Sequence, residues 1–116
     1  LYPKGNYVIV RRFSSKEEKR RVVANVVDPE DFPANLEVIA FENSLNVFHQ
    51  KKRGLDRELA YGLAEYLNSK EFDDEFRNFN GHTQVNATDL RAMHYPAVEA
   101  LRRMGKAAYT RTPRVA

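Results

Sequence analysis

The apolar positions alternate early in the chain and recur at helical spacing later. Residues 7–13 (YVIVRRF) alternate in part and are rich in β-branched side chains, which predicts a strand. Residues 21–27 (RVVANVV) predict a second, more heavily apolar strand, stopped by Asp28-Pro29. The polar SSKEEK between them suits a hairpin connection. Ser14 or Ser15, followed three residues later by Glu17 or Glu18, also permits one helical turn there. PEDFPAN, with two prolines, predicts a loop. Residues 38–42 and 45–49 predict two more strands around a tight turn at Asn43-Ser44, and 51–54 a basic loop.

The period then changes. Leu55, Leu59, Leu63 and Leu67 recur every four residues beside Ala60 and Ala64, and Asp56 is placed to cap a helix over 56–67. A second helix, 70–79, carries Phe72, Phe76 and Phe79 on one face, with Ser69 as its cap and Glu71, Asp73 and Asp74 suited to its N-terminal dipole. These Leu and Phe stripes read as core packing. Beyond Asn80-Gly81, residues 84–86 suit a short strand, and Thr88 suits the cap of a helical turn. Pro96 at a first helical position and Gly105 past a last one bracket a helix over 96–104. The tail KAAYTRTPRVA has no clear period and is expected to fray. The expected fold is α+β, one domain over 1–116. It is a curved, mainly antiparallel sheet from residues 6–50 packed with helices over 56–67, 70–79 and 96–104.

Composition fits that picture. Of 116 residues, 42% are apolar and 30% charged, the balance of a soluble globular domain. No apolar run approaches the roughly 18 residues of a membrane span, so no membrane partner is expected. The first ten residues read as a strand rather than a signal peptide. The absence of cysteine excludes disulfides, thiol nucleophiles and cysteine-ligated zinc. An opening at Leu1 rather than Met suggests a piece of a longer protein.

Charge is placed unevenly. Residues 1–53 carry ten Lys/Arg against seven Asp/Glu, 54–79 three against seven, and 80–116 six against two. An acidic middle therefore lies between two basic segments, an arrangement that suits a polyanion or an ordinary solvated surface. The densest cluster is Arg11, Arg12, Lys16, Lys19, Arg20 and Arg21, followed later by Lys51, Lys52 and Arg53.

Enzyme motifs are missing. His49, His82 and His94 match no metal-helix spacing, the serines lack a nucleophile elbow, and none of the five glycines forms a phosphate loop. HTQVN instead gathers His82, Thr83, Gln84 and Asn86 just after an Asn-Gly turn. Such side chains suit recognition of base edges or phosphates; they equally suit turn geometry and bracing of the helices.

Three segments, YVIVRRFSSKEEKRRVVANVVDP, FENSLNVFHQKKRGL and LAYGLAEYLNSKEFDDEFRNFNGHTQVNATDLRAMHYP, together resemble the C-terminal part of PstI/BsuBI-type adenine-specific DNA methyltransferases of restriction-modification systems. The order of elements is also similar to the TaqI methyltransferase and to type I specificity subunits: Leu67-Asn68-Ser69, the aromatic helix, the Gly81–Gln84 loop, then Val85-Asn86, Asp89-Leu90 and Tyr95-Pro96. The resemblance implies a target recognition domain in a bacterial or archaeal cytoplasmic enzyme. It also implies an N-terminal catalytic domain, outside this chain, that binds S-adenosylmethionine and carries an Asn-Pro-Pro-Tyr motif. No catalytic, cofactor-binding or metal residue is expected here.

The expected partners are double-stranded DNA and that catalytic domain. Arg11, Arg12, Lys16, Lys19, Arg20, Arg21, Lys51, Lys52 and Arg53 are the expected phosphate clamps. Asn43, Asn46, His49, His82, Thr83, Gln84 and Asn86 are the candidate readers of bases or backbone. Two other classes stay open: a protein-docking module, and a small metal-dependent nuclease using His82 or His49.

Overall fold

A computed structural model describes residues 1–14, 17–80 and 84–111. Its central sheet has strand order β3-β2-β5, formed by β2 (Tyr7–Arg11), β3 (Ala24–Val27) and β5 (Leu45–Phe48), all antiparallel. Opposed pairs Val10↔Ala24, Val10↔Asn46 and Val8↔Phe48 set one face of this sheet. Val8, Val10 and Ala24 on that face are buried against the helices, as the partial alternation predicts.

The hairpin of β2 and β3 forms as expected, but β3 begins at Ala24 rather than at residue 21. The expected hairpin of residues 38–42 with 45–49 does not form. β4 (Val38–Ile39) instead pairs with β1 (Tyr2–Pro3) in a separate two-stranded ribbon. The cause is aromatic. Tyr2 and Phe41 stand edge-on to each other and to the fully buried Tyr7, with ring centroids 5.3–5.5 Å apart, and draw the ribbon over the far face of β2.

α1 (Arg57–Leu67) and α2 (Lys70–Phe79) have the predicted caps: Asp56 accepts from the Leu59 N–H at 3.2 Å and Ser69 from the Phe72 N–H at 3.2 Å. Between them Asn68 ends α1, and its side-chain amide bonds both backbone groups of Ala24, accepting at 2.7 Å and donating at 2.9 Å. Leu67-Asn68-Ser69 is thus a joint between helix, helix and sheet. Phe72 and Phe76 are fully buried, whereas Phe79 at the helix end is exposed.

Two helical readings need correction. α3 (Ala87–Ala92) is capped by Asn86 rather than Thr88: the Asn86 side chain accepts from the Asp89 N–H at 2.8 Å. α4 (Val98–Arg111) runs straight through Gly105 instead of ending there. A Cβ on Gly105 would lie 1.6 Å from the Glu58 carbonyl oxygen, and one on Gly62 would lie 1.7 Å from that of Leu101. The glycine is needed for helix-to-helix contact, not for termination. α1 therefore sits between the sheet and α4, with Leu101, Gly105 and Ala108 forming the buried stripe of α4.

Gly62→Ala or Gly105→Ala must push these backbones apart. Each is expected to cost about 3 kcal/mol, read as a lower urea midpoint at unchanged m-value. An unchanged midpoint would show that the crossing tolerates a methyl.

Candidate nucleic-acid interface

Arg12 marks the end of the sheet where three polar segments converge. Its N–H donates to Ser44 O at 2.9 Å, and its carbonyl accepts from the Val85 N–H. Phe13 then bridges to Gln84. The basic loop after β2, the Asn43-Ser44 turn and the Gln84 segment are thereby fixed side by side.

Arg21 does not belong to the surface of this cluster. It is 2% exposed and hydrogen-bonds through Nε to Ser14 Oγ at 2.8 Å. Its backbone N–H meets Asp73 Oδ1 at 2.8 Å, and its guanidinium lies over the Phe76 ring. Burial holds its pKa below the ordinary value, and Arg77 adds repulsion, while Asp73 and Glu18 act the other way. Arg77 closes the network, donating to Asp73 Oδ2 at 2.8 Å and to Glu18 O at 2.7 Å. The expectation that Arg21 clamps a phosphate is corrected: its charge is enclosed by the fold.

Two expected readers are likewise engaged internally. Asn46 is 8% exposed and donates to Val85 O at 2.8 Å, while Asn86 caps α3. Asn80 joins them, buried, with its amide on Gln84 O at 2.9 Å and on Asp89 Oδ2 at 2.6 Å. Much of the polar NGHTQVNATDL stretch is therefore bracing. Lys16, His82 and Thr83 lie outside the described residues.

What remains exposed is Arg11, Arg12, Lys19, Arg20, Asn43 and Gln84. Arg11 pairs with Glu18 at 3.0 Å in an exposed bridge of little energetic weight. Arg12, Lys19 and Arg20 have no ion-pair partner among the described residues. Phe13, which the pattern of charges conceals, is 59% exposed next to Arg12.

Lys51, Lys52 and Arg53 form a second exposed cluster beyond the other end of β5, roughly 20 Å away at about 3.3 Å per extended residue. Here Gln50 and Arg53 exchange two backbone hydrogen bonds of 2.9 Å around a two-residue turn. Lys51 and Lys52 both have positive φ, 50° and 62°, as a type I′ turn requires. Such turns favour Asn-Gly; lysine here carries strain of about 1 kcal/mol per residue. His49 Nδ1 accepts from the Lys52 N–H at 2.9 Å, which leaves Nε2 of the neutral ring as a donor. His49 also lines a cleft of about 240 Å³ with Asn46, Phe48, Leu90 and Arg91, the last a cation the sequence reading did not single out.

The four described glycines serve close backbone contacts, Gly5 with Gly54 and Gly62 with the α4 backbone, rather than a loop opening a helix. Among the described residues no group of three or more His, Cys, Asp or Glu is placed to hold a metal ion. No helix among them is long and apolar enough to cross a membrane.

Set against known proteins, the chain is similar to Type II methyltransferases. It is 59% identical over 106 residues to the Type II methyltransferase M.BsuBI of Bacillus subtilis, covering 91% of this chain and 21% of that protein. It is 50% identical over 101 residues to M.PstI of Providencia stuartii, covering 87% of this chain and 20% of that protein. The chain thus spans about one fifth of the length of these curated relatives. The resemblance read from the sequence is upheld by both. No protein-family model matches the chain, and no solved structure does.

Arg21→Met should lower stability by about 3 kcal/mol, because it removes one partner from a buried ionic network. Arg20→Ala should shift it by no more than about 0.5 kcal/mol. Urea unfolding of both variants checks this, and equal effects would mean that Arg21 is ordinary surface.

Proposed function

We propose that this chain is the target recognition domain of an adenine-specific Type II DNA methyltransferase, holding duplex DNA while another domain of a longer protein transfers the methyl group. That other domain binds S-adenosylmethionine, lies N-terminal to this one, and is its docking partner. The observation that carries the reading is the cation cluster at one end of the sheet. Among the described residues Arg12, Lys19 and Arg20 have no ion-pair partner, and Arg12 stands beside the Asn43-Ser44 turn and the Gln84 segment, in a chain half or more identical to segments of two methyltransferases. Unpaired guanidinium and ammonium groups neutralise phosphates and release counterions. Asn and Gln side chains offer paired donors and acceptors to base edges, and His49 offers its Nε2 proton.

The strained lysine turn supports a second grip on the backbone. A chain selected for stability alone would carry Asn-Gly there, and a local rule broken at an exposed, doubly charged tip suits a binding role. The two clusters are separated by more than half of a DNA helical turn, which is about 34 Å.

Titration of mixed-sequence duplex DNA across a salt series tests the reading. Binding should weaken steeply with salt, and Arg12→Ala, Lys19→Ala or Arg20→Ala should each reduce the slope by about 0.9. Replacing Lys51-Lys52 by Asn-Gly should reduce it by roughly 1.8 while raising stability by about 1–2 kcal/mol. A chain that binds no duplex at low salt would overturn the assignment, and unaltered slopes would overturn the clamps.

A further inference from the structure

Phe13 is an exposed ring held in place from its backbone. On one side Arg12 is tied to Ser44 and Val85; on the other, Ser14 is buried under the Arg21 guanidinium; Phe13 itself bridges to Gln84. The backbone is thus pinned on both flanks, yet the ring is 59% exposed and takes part in none of the aromatic pairs among the described residues. A flexible ring on a loose loop could fold back onto the core. This one is prevented from doing so by its own main chain.

Its surroundings select the occupant. Its chain neighbour Arg12 and bridge partner Gln84 flank it, Arg11 precedes them, and Lys19 and Arg20 belong to the same β2–β3 connection, so a second apolar protein surface would have to desolvate cations to reach the ring. A polyanion with apolar faces inside would not. Duplex DNA offers phosphates to the arginines and stacked bases between its phosphate strands. Of the other large apolar side chains exposed among the described residues, Leu1 and Val38 lie at the ribbon, Val98 on α4 and Phe79 at the end of α2, while the less exposed Val23 lines a cleft with Lys19 and Arg20.

We propose that Phe13 is a DNA-contacting residue of this domain. Its ring enters the bound duplex as a wedge at a base step, while Arg12, Lys19 and Arg20 hold the flanking phosphates. The proposal rests on the DNA-recognition reading and adds to it an apolar determinant that salt does not screen. Insertion of such a ring unstacks neighbouring bases and kinks the duplex, so the contact reads deformability of the step as well as its edges.

The chain contains no tryptophan, so Phe13→Trp introduces a sole reporter. On titration with mixed-sequence duplex DNA its emission should be strongly quenched by stacked bases, whereas Val38→Trp on the ribbon should keep its emission. Phe13→Ala should bind roughly tenfold more weakly with the salt slope unchanged, and Phe13→Leu should recover part of the loss. Circular dichroism of the variants confirms that each is folded. If wild type binds, and the introduced tryptophan at 13 is unquenched or Phe13→Ala binds as tightly as wild type, the wedge is overturned and the recognition reading stands. If wild type binds no DNA, both fall together.

Discussion

The guanidinium of Arg21 is enclosed between Ser14, the Phe76 ring and the Asn80 carbonyl while its backbone N–H meets the Asp73 carboxylate, and this buried charge ties together the segments at that end of the sheet. A buried charge of this kind tolerates little displacement, because each missing partner leaves an uncompensated group in a medium of low dielectric. Three separate stretches meet on it: the loop after β2, helix α2, and the segment that begins at Asn80. The hairpin loop cannot drift from the helix without breaking the network. Arg12, Lys19 and Arg20 are therefore carried on backbone that is itself anchored or adjoins an anchored residue.

That arrangement explains which parts of the architecture were legible from the chain. The strands β2 and β3 and the helices α1 and α2 follow from periodicity and from caps at Asp56 and Ser69, all local signals. The ribbon of β1 with β4 was not legible, because its stabilisation is the packing of Tyr2 and Phe41 on Tyr7, distant in sequence. Gly105 carried a local meaning, helix termination, that lost to a tertiary one, the close crossing with Gly62. In each failure a long-range contact outweighed a local preference.

The candidate site divides along the same line. Side-chain type alone groups Arg20 with Arg21 and Asn43 with Asn46, yet in each pair one residue faces solvent and the other is enclosed. Arg20, Arg21 and Asn43 lie outside the strands, where no periodicity assigns a face, and only the packing decides which side chain is covered. The motif that carries the family resemblance is largely scaffold: Asn68, Asn80, Asn86 and Asp89 hold backbone and one another. Phe13 was concealed for the opposite reason, since an aromatic within a strand pattern reads as core until its exposure is known.

Asn68 also sets the width of the central sheet. Its amide meets the N–H and the carbonyl of Ala24 as the backbone of an adjoining strand would, at the outer margin of β3. Those two groups are the ones a fourth strand, from this molecule or a neighbouring copy, would need for register. A single side chain at a helix joint thus acts as a one-residue strand, and lateral growth of the sheet stops there.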